Sequence, residues 1–407
     1  MPIRKALEAT KRALRKRVLP TTMFDELGFK YIGPLDGHSF DELIPSLKYA
    51  KTEKKPVVIH IKTQKGKGYA PAENDPAAFH GIGRFDSETG AIPYSPESYS
   101  SRFGAKIIDI AAKNNKVVAI TCAMTAGTGL KGFSEKYPDR FFDVGIAEQH
   151  GVTLAAGMAA GGYTPVIPIY STFLQRAFDQ VLHDVCLQDL HVVFPVDRAG
   201  LVGADGETHQ GVYDISYLSC MPNMTILSPS SFEQLDEMLE YAINLHDGPI
   251  AIRYPRGGNQ PYYAHEKFEL GKAYIRRSGS DVSIITTGRM LHTAAKTANI
   301  LKNIGIDAEI CELPTVLPLN TDAIIETAKK TGAVVTIEDN VKSGGFGEHI
   351  SDILSENNVN CAFKAFGYPS VPIVHGAVSE LDKLYGTDAE HIAAYIRRMI
   401  NNDKDQT

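Results

Sequence analysis

Four clusters in this chain gather side chains able to do chemistry, and each follows a short apolar run. The first is Phe142-Asp143-Val144-Gly145-Ile146-Ala147-Glu148-Gln149-His150, ahead of the small-residue run Gly151 to Gly162. The apolar segment ends at Gly145, and Glu148 stands where an Ala/Gly-rich helix begins. The free N–H groups and the dipole of a helix N-terminus favour a carboxylate there. The second cluster, Tyr170-Ser171-Thr172-Phe173-Leu174-Gln175-Arg176, offers an aromatic platform and a guanidinium at the start of a helix. The third runs from Asp197-Arg198-Ala199-Gly200 through the polar, Gly-rich stretch Gly203 to Gly211, which holds Asp205 and His209. Arg253-Tyr254-Pro255-Arg256-Gly257 is the fourth.

Several arginines aimed at one edge imply a phosphorylated or carboxylated small substrate, because the guanidinium fork suits both. Asp205 and His209 are credible proton-transfer groups near neutral pH. Each feature has a plainer reading when taken singly. A Glu at a helix start can be a cap, a loop His can be merely solvated, and an Arg at a strand end can serve a salt bridge. Convergence on one sheet edge favours function.

The elements that must position these clusters alternate. From about Tyr99 to Pro261, helical spacing at Phe103, Ile107, Ile110 and Ala111 precedes a strand at Val117–Thr121. Further strands are expected at Phe141–Val144, Val166–Ile169, Val192–Pro195, Thr225–Leu227 and Ile250–Arg253. Short β-rich runs separated by helices mean an α/β fold of doubly wound, mostly parallel sheets. In such sheets, ligands bind outside the carboxyl ends of the strands. A second alternating unit has strands expected at Val282–Thr286, Asp307–Glu312, Val334–Glu338 and Cys361–Ala365. Residues before about 95 hold too few elements for a whole domain: a turn-rich stretch, a helix near Phe40–Ala50 and a strand at Val57–Ile61. The stretch 70–100, rich in Pro and Gly, reads as a linker. The expected divisions are 1–98, 99–262 and 263–407.

The 407 residues are 43% hydrophobic and 22% charged, with a net charge of −6. That balance suits globular cores and argues against nucleic acid as a partner. No apolar run is long enough to span a bilayer. Met1 to Leu19 reads as a basic amphipathic helix; it carries Glu8 and no Ser, unlike a transit peptide. Five scattered cysteines without a C-x-x-C pair point away from disulfides and zinc and towards the cytoplasm.

Taken in order, DVGIAEQH, YSTFLQRAFDQ, DRAGLVGADGETHQG and RYPRG resemble the 1-deoxy-D-xylulose-5-phosphate synthase family of transketolase-like thiamine diphosphate enzymes. Gly28–His38 (GFKYIGPLDGH) and Lys65–Asp86 (KGKGYAPAENDPAAFHGIGRFD) look like the same family, and EDNVKSGGFGE resembles the transketolase C-terminal domain. The resemblance implies a transketolase-like pyrimidine domain followed by that C-terminal domain, working as a homodimer. It also implies a decarboxylating condensation of pyruvate with D-glyceraldehyde 3-phosphate, which feeds isoprenoid precursor and thiamine synthesis.

By the same resemblance, Glu148 bonds the aminopyrimidine of thiamine diphosphate and promotes its deprotonation. Phe173 stacks on that ring, with Arg176 in support. Tyr69 contacts the cofactor and Lys65 lies near its phosphates. Tyr170, Arg198 and Arg256 clamp the substrate phosphate, while His80, Asp205 and His209 are the substrate-facing groups that steer protons.

Two departures qualify this. The Gly-Asp-Gly followed by an Asn-containing segment, with which such enzymes hold diphosphate and Mg²⁺, does not occur here, so no metal ligand is assigned. Nor does the segment that supplies the family's first catalytic His. The expectation is therefore weak cofactor binding and little turnover by the chain alone, with a separate polypeptide supplying the missing domain. Alternatives are a non-catalytic fragment that keeps the fold and a dimer surface, a split transketolase, or a β-type subunit of a 2-oxoacid dehydrogenase. A smaller departure is Leu317-Pro318-Leu319-Asn320, where the family usually ends in Asp; it puts a structural contact in doubt.

Overall fold

The computed structural model describes residues 22–93, 96–259 and 262–404. The basic helix expected over Met1–Leu19 lies outside them. Contacts divide the chain into two units, Met1–Ser95 and Pro96–Thr407.

In the first unit, strands β1 (Lys30–Asp36) and β2 (Val57–Lys62) pair in parallel, with helix α1 (Phe40–Thr52) between them in sequence. Gly33-Pro34 interrupts β1, which is why the sequence there reads as turn; Pro is tolerated because this strand is a sheet edge. No residue of α1 is buried, and Phe40, Ile44 and Leu47, one face at helical spacing, are exposed. The stretch expected to be linker contains a short helix at Ala70–Asn74.

The second unit contains two sheets. Strands β3 (Val117–Thr121), β4 (Phe141–Asp143), β5 (Thr164–Val166), β6 (Ile169–Tyr170), β7 (Val193–Asp197), β8 (Thr225–Leu227) and β9 (Ile250–Arg253) are parallel, in spatial order β8-β9-β7-β5-β3-β4 with β6 also on β7. The strand expected at Val166–Ile169 is two strands, β5 and β6. Pro168 lies between them and has no N–H to give the ladder.

Strands β10 (Tyr274–Arg277), β11 (Val282–Thr286) and β12 (Ala308–Glu312) belong to the second sheet. So do β14 (Ala333–Val341) and β15 (Ala362–Tyr368); the order is β10-β12-β11-β14-β15, with only β10 antiparallel. Strand β13 (Thr315–Leu317) crosses to the other sheet and pairs antiparallel with β8. Just beyond it, Asn320 caps helix Thr321–Thr331 through a 2.9 Å bond from Ala323 N and donates to Gly271 O at 2.7 Å. An amide does both at once, because it carries an acceptor and a donor.

Helices α2 (Tyr99–Lys113) and α4 (Phe232–Asn244) share one core cluster of the first sheet and α3 (Glu148–Ala160) another, while α5 (Met290–Lys302) and α6 (Ala389–Lys404) pack together on the second. The stripe Phe103, Ile107, Ile110 and Ala111 of α2 is buried as its spacing requires. Among the described residues, no helix is long and apolar enough to cross a membrane.

Candidate active site

Glu148 reaches its position through a turn. Asp143, ending β4, accepts from Ala123 N at 2.9 Å and Gly145 N at 3.0 Å, and Gly145 takes φ +72. The chain then reverses into α3 with Glu148 as its first residue. The carboxylate is 2% exposed and does not cap the helix; its partner is Arg176, whose Nη1 donates at 2.6 Å. A carboxylate so buried needs such a partner. The neighbouring Cys122 thiol is pushed up to about 12 by burial and by the charge of Glu148.

Strand β6 sets Tyr170 beside Asp197 of β7. The tight helical turns after it bring Phe173 and Arg176, three residues apart, onto one side. The Arg176 guanidinium lies 4.6 Å from the Phe173 ring centre. Phe173 also stacks on Tyr170 at 5.5 Å and meets the His209 ring edge-on at 5.2 Å.

Beyond Tyr170 the contacts continue. The Arg198 guanidinium lies 4.0 Å from the Tyr170 ring centre and bonds Asp205, while Arg256 Nε is 3.6 Å from the same Asp205 carboxylate. Burial pushes the Tyr170 hydroxyl up to about 12, so it stays protonated at neutral pH and can donate to an anion. Arg256 also donates to Val202 O at 3.2 Å. Arg198 and Arg256 line a cavity of about 630 Å³ with Ser100 and Gly127. A Cβ at Gly127 would overlap Tyr170 Oη, so glycine is required for that hydroxyl to sit there.

The loop carrying Arg198, Asp205 and His209 is closed by mutual backbone bonds between Gly200 and Gly211 at 2.7 and 2.8 Å. Gln210, buried inside it, accepts from Val202 N at 3.1 Å and donates to Val374 O at 3.2 Å. Gly200 has φ +76, and a side chain there would meet Asp339 Oδ2 at 2.5 Å.

Glu148, Arg176, Phe173, His209, Tyr170, Arg198, Asp205 and Arg256 therefore form one continuous run of contacts. Lys65, Tyr69 and His80 belong to the first unit. There Tyr69 packs its ring against Phe79 and Phe85, at 5.7 and 5.9 Å, with an enclosed hydroxyl that has no partner among the described residues, while Lys65 and His80 are exposed.

Arg253 is a correction. Read from sequence as one of the arginines at the edge, it is instead 2% exposed and bonded to Asp214 at 2.8 and 3.2 Å and to Asp339 at 2.6 Å. Arg289 binds the other oxygen of Asp339 at 3.0 Å. Burial alone would raise the Asp339 carboxyl, but the two guanidiniums outweigh it and hold it below its ordinary value. This network ties β9 to β14, joining the two sheets.

Asp197 was within the third cluster but had no role assigned. It is fully buried beneath Arg198 and Arg256, accepts from Ser100 Oγ at 2.7 Å, and leaves Oδ1 without a partner among the described residues. Burial pushes it up to about 6, against the pull of Ser100, Arg198 and Arg256. Its only sequence signal was adjacency to Arg198; nothing in the sequence marks Ser100.

The pyrimidine end of thiamine diphosphate fits this run: a buried carboxylate beside a half-buried aromatic ring. A flat ligand on Phe173 would compete with Arg176 for one face. Among the described residues, no three His, Cys, Asp or Glu side chains are grouped to hold a metal ion.

Comparisons with known proteins bear on the family and the fold. The transketolase pyrimidine-binding domain family matches residues 98–261, the transketolase C-terminal domain family 271–392, and the 1-deoxy-D-xylulose-5-phosphate synthase family 1–63. The synthase of Clostridium acetobutylicum is 47% identical over 399 residues, 96% of this chain and 64% of that protein. That of Caldanaerobacter subterraneus subsp. tengcongensis is 48% identical over 394 residues, 96% and 63% respectively. The chain thus spans just under two thirds of the length of these relatives. Among solved structures, a split-gene transketolase described as an inactive beta4 tetramer superposes with a TM-score of 0.69 at 27% identity, covering 75% of this chain and 99% of that one. A transketolase from Pichia stipitis shares the fold, with a TM-score of 0.62 at 18% identity, over 77% of this chain and 48% of its own.

Proposed function

We propose a function from one premise: this chain belongs to the 1-deoxy-D-xylulose-5-phosphate synthase family of transketolase-like, thiamine diphosphate-dependent transferases. In this reading it forms the pyrimidine side of a synthase site that condenses pyruvate with D-glyceraldehyde 3-phosphate, giving 1-deoxy-D-xylulose 5-phosphate and CO₂. The observation that carries the proposal is the unbroken run from Glu148 to Arg256, with an acid–aromatic pair at one end and an arginine pair at the other.

Thiamine diphosphate, when bound, supplies the electron sink for decarboxylation. Glu148, fixed by Arg176, would hold a proton against the pyrimidine, and Phe173 would bound the ring. Tyr170, Arg198 and Arg256 would bind the aldehyde's phosphate, the arginines by charge and the tyrosine by its retained proton. His209, oriented by a 2.9 Å contact between Nδ1 and Thr208 Oγ1, would exchange protons with the substrate, together with Asp205 and His80. Tyr69 and Lys65 would meet the cofactor in the assembled enzyme.

The diphosphate and Mg²⁺ would be held by groups outside the described residues, on a separately encoded domain or a further stretch of chain. The split-gene transketolase, inactive as a beta-only tetramer by its description, supports an inactive state for such a half. A homodimer in the cytoplasm is part of the proposal; five free cysteines, three of them buried, are compatible with that compartment.

The test is complementation. The full chain is mixed with pyruvate, glyceraldehyde 3-phosphate, cofactor and Mg²⁺, with and without the N-terminal domain of the Clostridium acetobutylicum synthase. Product is expected only in the complemented mixture and only with pyruvate as donor. Activity with ketose phosphates instead would make it a split transketolase. No product, with cofactor shown to bind, would establish the non-catalytic scaffold.

A further inference from the structure

A second cleft in the 96–407 unit, of about 690 Å³, adjoins the arginine clamp and shares Arg256 with it. That volume is within the usual range for small-molecule sites. Its position is set by topology: helices following or flanking parallel strands begin at the carboxyl edges of the sheets. Here four of them begin at one place. Tyr99 opens α2, Ser231 is the N-cap of α4, Leu291 to Thr293 form the first turn of α5, and Ala389 and Glu390 open α6; all of these line the cleft. Each start carries a partial positive charge of roughly half a unit.

The side chains add to this field. Arg256, Arg276, Arg289, Lys296 and Lys383 line the cleft, against the carboxylates of Asp382, Asp388 and Glu390. Three of the cations are already engaged: Arg276 with Glu312 at 2.6 Å, Arg289 with Asp339, and Arg256 with Asp205 at 3.6 Å. Two of the acids are also engaged: Asp382 accepts from Tyr368 Oη at 2.9 Å, and Asp388 bonds His391 at 2.5 Å. Lys296 and Lys383 are exposed and form no ion pair among the described residues.

Polar groups here also lack partners. Tyr99 is 2% exposed, and its hydroxyl has no hydrogen-bond partner among the described residues; burial raises it above its ordinary value, so it remains a donor. The Nδ1 of His292 is enclosed and has no partner among the described residues. Buried polar atoms left in this way cost stability unless a ligand or water meets them. On one side, Tyr262 packs against Tyr263 at 5.2 Å and edge-on to His292 at 5.7 Å, giving the cleft an aromatic wall.

We propose that this interdomain cleft binds a small phosphorylated anion, its phosphate held by Lys296, Lys383 and the helix starts and its organic part against Tyr262 and Tyr263. Because Arg256 lines both this cleft and the clamp, the anion would draw on a cation that the clamp also uses.

Inorganic pyrophosphate is the probe, titrated calorimetrically into the full chain at low salt without thiamine diphosphate or substrates. A Lys296→Ala/Lys383→Ala variant, altered only at exposed positions, is expected to bind about tenfold more weakly. Tyr99→Phe, which removes one hydroxyl and keeps the ring, is expected to weaken binding several-fold. Arg198→Ala, altered only in the clamp, is expected to keep binding close to that of the parent. No heat of binding at millimolar pyrophosphate would overturn the proposal. So would loss of binding in Arg198→Ala with none in the lysine variant, which would make the clamp the anion site. The readout needs no catalysis, so failure of the proposed synthase function would leave it intact.

Discussion

Arg253 and Arg256 lie three residues apart in RYPRG, and replacing each by Met should have opposite consequences. Arg253 and Asp214 are 2% and 0% exposed at their side chains, and among the described residues Arg253 is the only side chain bonded to Asp214, through two bonds. Arg253→Met strands that carboxylate in the interior, whereas Asp339 keeps Arg289. Removing one member of a buried pair costs about 3–5 kcal/mol, mostly as the penalty on the charge left behind. Arg256 is 42% exposed at its side chain and has one carbonyl and a 3.6 Å ion pair, so Arg256→Met should cost no more than about 1 kcal/mol. Urea unfolding of the parent and both variants measures the gap. A third variant, Arg253→Met/Asp214→Leu, should recover most of the loss, since two apolar groups replace a pair rather than orphan one member. Phosphate binding at the clamp should run the other way, weakened by Arg256→Met and retained by folded Arg253→Met. The reasoning fails if the two single variants unfold alike, or if the double variant is no more stable than Arg253→Met.

Two further outcomes follow from the clamp. Asp205 now occupies Arg198 and sits near Arg256, the place an incoming phosphate needs, so Asp205→Asn should tighten inorganic phosphate binding by about tenfold at low salt. Weaker binding would show that Asp205 orders the arginines instead of competing with phosphate. Asp197 has a folded value of about 6 against an ordinary 3.8, raised mainly by burial. A raised carboxyl contributes stability below its unfolded value and loses it as pH climbs through the folded one. The difference amounts to roughly 3 kcal/mol. The stability of Asp197→Asn relative to the parent should therefore improve by about that amount from about pH 4 to about pH 7. Parallel stability curves for the two proteins would refute this.

Much of the fold was legible because its signals are local. The α2 stripe, the buried runs of β3 and β11 and the breaks at Gly and Pro each reflect the physics of a few neighbouring residues. What was hidden depends on distant pairing. Strand β1 contains Gly33-Pro34 and shows itself only by pairing with β2. Strand β13 is three residues long and exists because β8 offers it an edge. Asn320, which departs from the family's usual Asp, proved to have two partners, one of them Gly271, which the sequence could not place beside it.

The same distinction separates the two arginines of RYPRG. Both are cations at the end of an apolar strand, and no property of the tetrapeptide says which one faces the cavity. Side chains alternate along a strand, so Arg253, still within β9, can turn inwards, while Arg256, past its end, is free of that alternation. What makes the inward position tolerable is Asp339, contributed by the other sheet 86 residues later. Asp339 also approaches Gly200 so closely that the clamp loop must carry glycine there. One buried carboxylate thus fixes which arginine is structural and how near the loop from Gly200 to Gly211 can lie to β14. Glu148 is the contrasting case. Taken singly its position read as a helix cap, while the clusters that follow it favoured chemistry; Arg176, arriving from the turn after β6, holds the buried acid.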